Sequence, residues 1–185
     1  LLIYPAIDTL PGPGDILKTL SIILQVGIAV RMTLLGKLQK TLRKGDWKVT
    51  VAVHLGDREN NPRIMHIWPG YYDGTIYGLA VDLGSTTIAA HLCDLQSGEV
   101  LASSGVMNPQ IRFGEDLMSR VSYAMMNPGG DAEMTRAVRD AMGGLASELA
   151  AEAEIPARQI VEATVVCNPV MHHLLLGIDP VELGQ

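Results

Sequence analysis

The sequence of 185 residues is short of cysteine, of basic residues and of long apolar runs, and each shortage excludes a class of function. Its two cysteines, Cys93 and Cys167, are too few for a four-thiolate iron–sulfur site or a zinc knuckle. We therefore predict two buried, reduced thiols in a cytoplasmic protein. The formal charge of −6, with no compensating basic cluster, argues against a nucleic-acid-binding surface.

The most apolar stretch, Leu20 to Val30, is too short to cross a membrane. It contains Gln25 and is flanked by Lys18 and Arg31. We therefore predict one or two buried amphipathic helices between residues 16 and 42. A signal peptide is not expected, because no basic start is followed by a small-residue cleavage site. The sequence predicts no association with a membrane.

Strand character begins in residues 44–76. The run from Trp47 to Leu55 alternates, with valines at every second position on one face. A polar turn follows, and Ile64 to Trp68 is a plausible return strand. We predict a β-hairpin too small for a core of its own, with His54 and His66 placed to face each other as surface residues instead of metal ligands.

The stretch Gly78 to Thr87 is the most informative part of the chain. Its apolar run ends on Asp82, and a glycine and three hydroxyl residues follow at positions 84–87. Gly84 lets the backbone approach a ligand closely, and the hydroxyls and exposed amides of such a turn suit phosphate oxygens. Asp82 suits hydrated Mg²⁺, which needs few carboxylates. The pattern predicts a phosphate- and magnesium-binding turn between two strands.

The segments around this turn predict an α/β (α+β) fold. We predict strands at Tyr77–Asp82, Ile88–Asp94, Val100–Ser104 and Gln159–Cys167, and helices at Glu115–Met126, 131–153 and Val170–Leu176. The first three strands would be antiparallel, and the last parallel and buried on both faces. This is the order of a ribonuclease-H-like domain, so a ligand is expected where Asp82 and Asn168 leave the carboxyl ends of their strands.

Spacing and composition predict three details of the helices. Leu117, Val121 and Met125 recur every four residues and would face the core. Asp131 can cap the second helix. Within that helix, Gly143-Gly144 costs about 1 kcal/mol per glycine relative to alanine, which close packing on the sheet would explain.

Residues 78–185 resemble the actin-like ATPase superfamily, whose members bind ATP between two ribonuclease-H-like halves. The segment Asp82 to Thr87 looks like the first phosphate motif of that superfamily. Further matches, at Asn108-Pro109-Gln110, Gly114-Glu115-Asp116 with Ser119-Arg120-Val121, and Cys167 to Pro180, resemble one family. It is the reductive activators of corrinoid proteins, ferredoxin-like ATPases that restore cobalt(I) in corrinoid methyl carriers.

The resemblance implies a division of the chain. Residues 1–43 would be a linker or helical part of a middle domain, and 44–76 its β-hairpin, since Trp47 to Gly70 looks like the family's middle domain. Residues 77–185 would be the truncated N-terminal part of the ATPase domain. The [2Fe-2S] cluster, held by a four-cysteine domain, and the second ATPase half are absent, so we expect a fragment without ATPase activity.

The resemblance also assigns roles to residues. Asp82 would be catalytic, ordering Mg²⁺ through water or ordering the attacking water, and Gly84, Ser85, Thr86 and Thr87 would bind the phosphates of ATP. The implied partner is a corrinoid protein, and a homodimer is left open.

Three polar residues outside the turn are candidates for a role in the cleft or towards a partner: Asn108, Gln110 and Asn168. For Asn108-Pro109-Gln110, an Asx-type turn is an equal alternative.

Four other interpretations of the turn stay open. A sugar or acyl kinase of the same superfamily would need a catalytic carboxylate that we do not identify. An activator of radical dehydratases would hold its cluster with cysteines inside the ATPase domain, a pair that Cys93 and Cys167 do not supply. A docking module without enzymatic activity, or an acidic hairpin turn that binds nothing, would need neither a catalytic carboxylate nor cluster-binding cysteines.

Overall fold

The computed structural model describes residues 2–4, 29–30, 32–54 and 63–184. The chain divides into two compact units, Leu1–Thr75 (unit 1) and Ile76–Gln185 (unit 2). Among the helices in these described ranges, none is long and apolar enough to cross a membrane.

In its described residues, unit 1 is a four-stranded sheet with one helix packed on it. Its elements are β1 (Leu2–Tyr4), β2 (Ala29–Val30), α1 (Met32–Lys44), β3 (Val49–His54) and β4 (Arg63–Pro69). The strand order is β1-β3-β4-β2, with β1 and β4 antiparallel to β3 and β2 parallel to β4. The hairpin of β3 and β4 is confirmed. The helical prediction for residues 16–42 is wrong at Ala29–Val30, where pairing with β4 makes a strand, and its part from 16 to 28 lies outside the described residues.

Unit 1 has a hydrophobic core of its own, contrary to the prediction from the hairpin alone. One helix face supplies Leu34, Leu38 and Leu42, which repeat every four residues and therefore lie on one side of α1. They pack against apolar side chains of both central strands: Val49, Val51, Val53, Ile64 and Ile67. The predicted alternation of β3 is also incomplete, because Thr50 and Ala52 on its other face are buried as well.

The two histidines of the hairpin do not face each other. The strand register places His66 opposite Ala52 and His54 opposite Arg63. His66 instead lies against Trp68, with ring centroids 4.5 Å apart. Burial, and then the charge of Lys37, lower the pKa of His66 from its ordinary value. The neutral imidazole is therefore the form favoured in this packed position.

Unit 2 has the predicted order of strands and helices. Its elements are β5 (Tyr77–Leu83), β6 (Thr87–Asp94), β7 (Val100–Met107), a 3₁₀ helix (Pro109–Phe113), α2 (Leu117–Met126), α3 (Gly130–Glu152), a 3₁₀ helix (Ala157–Gln159), β8 (Ile160–Cys167), α4 (Pro169–Leu176) and a 3₁₀ helix (Val181–Gly184). The sheet order is β7-β6-β5-β8. β5, β6 and β7 are antiparallel neighbours and β8 runs parallel to β5, which confirms the predicted topology.

One face of this sheet packs on α3 and forms the core of unit 2. The strands contribute alternate residues, and the helix contributes residues from one side: Val81, Leu83, Ile88, Ala90, Leu92, Ala102, Val138, Leu145 and Leu149. The opposite face carries exposed Asp82 and His91. The prediction that β8 is buried on both faces is wrong, because Val166 on that open face is 61% exposed.

The helices differ from the predictions in three places. Met125 is 58% exposed; Val121 is buried as predicted, and the second fully buried residue of α2 is Arg120. The cap of α3 is Gly129 in a left-handed conformation, and Asp131 lies in the first turn. Gly143 and Gly144 are exposed, and a Cβ atom added to either would meet nothing within 4 Å, so close packing on the sheet does not explain them.

A candidate phosphate-binding turn

The candidate site lies where β5 and β8 end side by side. The parallel register pairs Asp82 with Val166 and Leu83 with Cys167. The turn after β5 and Asn168 after β8 therefore leave the sheet at the same edge. This confirms the expected meeting of the two carboxyl strand ends.

The turn itself is a tight connection between β5 and β6. The amide of Gly84 donates to the carbonyl oxygen of Thr87 at 3.0 Å. A Cβ atom on residue 84 would lie 2.7 Å from that oxygen, so glycine is required by close approach. Ser85 is half-buried, whereas the side chains of Thr86 and Thr87 are exposed. The turn therefore presents hydroxyl groups to solvent.

Asn108 supports the turn from its interior side and is fully buried. Its Nδ2 donates to the carbonyl oxygen of Gly84 at 2.8 Å, and its backbone amide donates to the carbonyl oxygen of Thr86 at 2.8 Å. Its Oδ1 accepts from the amide of Gln110 at 2.9 Å, which caps the 3₁₀ helix. Asn108 thus fixes the turn at Gly84 through its side chain and at Thr86 through its backbone, and its side chain also holds the segment that follows β7.

Arg120 completes the support, and the sequence did not predict this role. Its Nη2 donates to the carbonyl oxygen of Ser85 at 2.5 Å, and its Nε donates to that of Gly114 at 3.0 Å. Its Nη1 lies 3.4 Å from Oε1 of Gln110 and 3.2 Å from the sulfur of Met171. The available signal was a lone arginine in α2, but helix periodicity cannot show that it points inward.

These contacts determine where the amide groups of the turn point. In a trans peptide the C=O of one residue and the N–H of the next point in opposite directions. The carbonyl groups of Gly84 and Ser85 are held by buried donors, so the N–H groups of Ser85 and Thr86 point away from the interior. Within the described part of the chain, neither N–H group has a hydrogen-bond partner. Neighbouring free amides in a turn are the groups from which anion-binding nests are built.

Asn108 and Gln110 do not face a cleft or a partner, which corrects that alternative. Both side chains are fully buried. Gln110 donates through Nε2 to the carbonyl oxygen of Met134 at 2.9 Å and so ties the 3₁₀ helix to α3. The hydrogen bond between Asn108 and the amide of Gln110 is the Asx-type turn that was the other alternative.

Asn168 lies beside the turn and is half-exposed. Its Oδ1 accepts from the amide of Met171 at 2.9 Å, so it caps α4, with Pro169 in the first turn. A role for Asn168 towards a ligand or a partner stays a prediction.

The cysteines are free thiols, but both are half-buried instead of fully buried. Burial, and then the nearby charge of Asp82, raise the pKa of the Cys167 thiol. The carboxylate of Asp82 thus acts on the end of β8 through space.

The chemistry of the turn suits a phosphate with a hydrated metal ion. Asp82 is exposed on the open sheet face at the strand end. Over the ranges that the structure describes, no three His, Cys, Asp or Glu side chains form a group that could hold a metal ion. A metal at this place would depend mainly on water for its ligands, with Asp82 holding it through one of those waters, an arrangement that Mg²⁺ accepts.

Comparison with known proteins assigns the chain to a family. Residues 77–185 match the family model described as the RACo middle region, and residues 16–74 match the RACo linker region. The chain belongs to the RACo family. The resemblance to the reductive activators of corrinoid proteins is thereby confirmed. The family models use the name middle region for residues 77–185, whereas the term middle domain was used above for the hairpin in residues 44–76.

Two relatives of this RACo chain have informative names. The corrinoid activation enzyme RamQ of Eubacterium limosum is 32% identical over 109 residues, which cover 59% of this chain and 18% of the relative. A solved structure named reductive activator for corrinoid, iron–sulfur protein is 31% identical to this chain and has a TM-score of 0.72. The match covers 97% of this chain and 29% of the chain in that structure. The chain therefore spans less than a third of the length of these relatives, and the mixed α/β fold is confirmed.

Proposed function

We propose that this chain forms part of an ATP-dependent reductive activator of corrinoid proteins and carries one half of its nucleotide site. The observation that carries the proposal is the pair of outward-pointing amides at Ser85 and Thr86, held by buried Asn108 and Arg120. Family membership supports the reaction class, and the names of the two relatives support a corrinoid protein as the partner.

In this proposal each residue of the turn has a separate task. The amides of Ser85 and Thr86 and the hydroxyls of Thr86 and Thr87 bind phosphate oxygens. The small size of Gly84 keeps the backbone closed beneath them, since a Cβ atom would meet the Thr87 carbonyl oxygen at 2.7 Å. Asp82 orders a magnesium-bound water or the attacking water. Positioning and charge neutralisation of this kind are most of what phosphoryl chemistry requires of a protein.

The coupling to reduction is the finer part of the proposal. Bound Mg-ATP would supply binding energy that favours the state in which the electron donor meets the corrinoid partner. That energy cannot exceed the difference in nucleotide affinity between the two states. The electron would come from a [2Fe-2S] cluster held outside residues 1–185, and the cobalt(II) of the corrinoid would be reduced to cobalt(I).

Nucleotide titration of the intact protein tests the proposal. We expect Asp82→Ala and Thr86→Ala each to weaken Mg-ATP binding at least about tenfold, the usual value of one good charge-assisted contact. Ser97→Ala, at an exposed turn between β6 and β7, serves as the matched control and should bind normally. Unchanged affinity in both site variants would exclude the nucleotide role of the turn.

The reaction class needs a second assay. With a reductant and a cobalt(II) corrinoid protein, the intact protein should form the cobalt(I) spectrum only when Mg-ATP is present. ATP-dependent phosphorylation of a sugar or an acid, without any cobalt(I) signal, would favour the kinase interpretation instead. ATP turnover by the 185-residue chain alone would contradict the half-site proposal.

A further inference from the structure

We propose that Arg120 is a positioning residue of the phosphate turn, and that its buried positive charge raises the affinity of the turn for phosphate. The inference rests on the proposed nucleotide function of the turn. It adds a residue that touches no ligand and that lies 35 positions away from Ser85 in the sequence.

The positioning part follows from the hydrogen bonds of the guanidinium. Arg120 donates to the carbonyl oxygen of Ser85 and, through Nε, to that of Gly114. Since the peptide between Ser85 and Thr86 is planar and trans, holding this carbonyl inward holds the Thr86 N–H outward. A planar guanidinium is suited to fix two carbonyl groups at once, which a lysine ammonium does less well.

The position of Gly114 makes this arrangement tight. A Cβ atom on residue 114 would lie 2.7 Å from the backbone nitrogen of Arg120 and from Cβ of Ser119. The chain before α2 therefore approaches the helix closely, and the Gly114 carbonyl oxygen accepts from the guanidinium 3.0 Å away. The Arg120 head is thus held between the turn and the start of its own helix.

The electrostatic part follows from what surrounds the charge. Arg120 is fully buried, and its contacts are two carbonyl oxygens, the amide oxygen of Gln110 and the sulfur of Met171, all neutral acceptors. In the described residues no carboxylate forms an ion pair with it, and the acid that acts on it through space is the exposed helix cap Asp116. Burial lowers the pKa of Arg120, but a guanidinium stays protonated in proteins.

A buried cation without a paired anion is costly in a folded protein. The cost is offset when an anion binds nearby, because water and salt screen a buried charge less than an exposed one. The Ser85 amide shares a peptide unit with the Gly84 carbonyl group, which faces Asn108. The Thr86 amide shares a peptide unit with the Ser85 carbonyl group, which faces Arg120. Both amides therefore point outward. A phosphate bound to those amides would therefore lie in the positive field of Arg120.

The test compares ligands that differ in phosphate charge, with the intact protein and calorimetric titration. Adenosine, Mg-ADP and Mg-ATP, whose negative charge increases in this order, are titrated into wild type and Arg120→Met. We expect the affinity for Mg-ATP to fall about tenfold, that for Mg-ADP to fall less, and that for adenosine to stay unchanged. A merely structural role would instead lower the affinity for all three ligands by the same factor, and this result would overturn the inference.

Two further variants provide an independent test of the charge effect and a control. Gln110→Glu keeps the guanidinium and places a carboxylate beside its Nη1, so it should reproduce the selective loss of Mg-ATP affinity even if Arg120→Met does not fold. Arg139→Met removes an exposed arginine that donates to the carbonyl oxygen of Leu175, and its ratio of ATP to adenosine affinity should equal that of wild type.

The outcomes separate this inference from the proposed function. If Asp82→Ala loses Mg-ATP binding while Gln110→Glu and every folded Arg120 variant keep the wild-type ratio, the role of Arg120 is excluded and the nucleotide site stands. If wild type binds no nucleotide, the proposed function fails, and the role of Arg120 fails with it.

Discussion

Replacing Asn108 with alanine is expected to destabilise unit 2 strongly, because this side chain is buried and both its oxygen and its nitrogen form hydrogen bonds. It donates to the carbonyl oxygen of Gly84 at 2.8 Å and accepts from the amide of Gln110 at 2.9 Å. Two hydrogen bonds at about 1 kcal/mol each would be lost. The buried amide of Gln110 would also lose its partner, which adds about 1 kcal/mol. The expected decrease in the free energy of unfolding is about 3 kcal/mol.

Urea denaturation measures this change, and two probes assign it to a unit. Both tryptophans, Trp47 and Trp68, lie in unit 1, so their fluorescence follows that unit. Far-ultraviolet circular dichroism also follows the helices of unit 2. With a slope of about 2 kcal/mol per molar urea, the dichroism midpoint should fall by about 1.5 M in Asn108→Ala.

The matched control removes an asparagine hydrogen bond at the surface. Asn127 is exposed, and its Nδ2 donates to the carbonyl oxygen of Tyr123 at 2.9 Å. Because water can replace this contact, Asn127→Ala should cost about 0.5 kcal/mol and shift the midpoint by about 0.3 M. Equal shifts in the two variants would refute the claim that burial makes Asn108 the stronger support.

Three smaller predictions concern other parts of unit 2. Gly144→Ala should raise the free energy of unfolding by about 1 kcal/mol in urea denaturation, because the position is helical and exposed and the added methyl meets nothing; a decrease would indicate a packing role. Asp116 accepts from the amide of Ser119, which lowers its carboxyl pKa, so its stabilising contribution is full above the ordinary pKa of about 4 and is lost as the pH falls through the folded value. The stabilities of wild type and Asp116→Ala should therefore converge in acid, and a constant difference would contradict this assignment. Asp82→Asn should lower the raised pKa of Cys167 and speed its alkylation by iodoacetamide near pH 8, and an unchanged rate would show that the carboxylate does not act on the thiol.

The candidate site could be predicted from sequence where its residues are neighbours in the chain. Asp82 and the glycine and hydroxyl residues behind it form one turn between two strands, and local composition is enough to indicate such a turn. The meeting of this turn with Asn168 was also predictable, because a long helix between two strands favours parallel neighbours. The roles of Asn108 and Gln110 were not decided, since an Asn-Pro-Gln segment is equally compatible with a buried turn and an exposed one.

Burial patterns were predicted less well than element types. Met125 was expected inside and is 58% exposed, whereas Arg120 is fully buried on the same helix. Periodicity places residues on a helix face, but the neighbouring elements decide which face is covered. The same limit applies to unit 1, where α1 gives the hairpin a core that the strands could not form by themselves.

By itself, the sequence determined two local conformations: the tight turn at Gly84 and the capped helix after Asn168. These conformations depend on contacts between residues close in the chain, and glycine and asparagine are residue types typical of such turns and caps. The tertiary structure alone decided that Asn108, Gln110 and Arg120 meet behind the turn. Arg120 reaches Ser85 across 35 residues, because the strand pairing and the position of α2 bring the two together. That arrangement turns the carbonyl groups inward and leaves two amides pointing outward, and the proposed binding of a phosphate rests on these two amides.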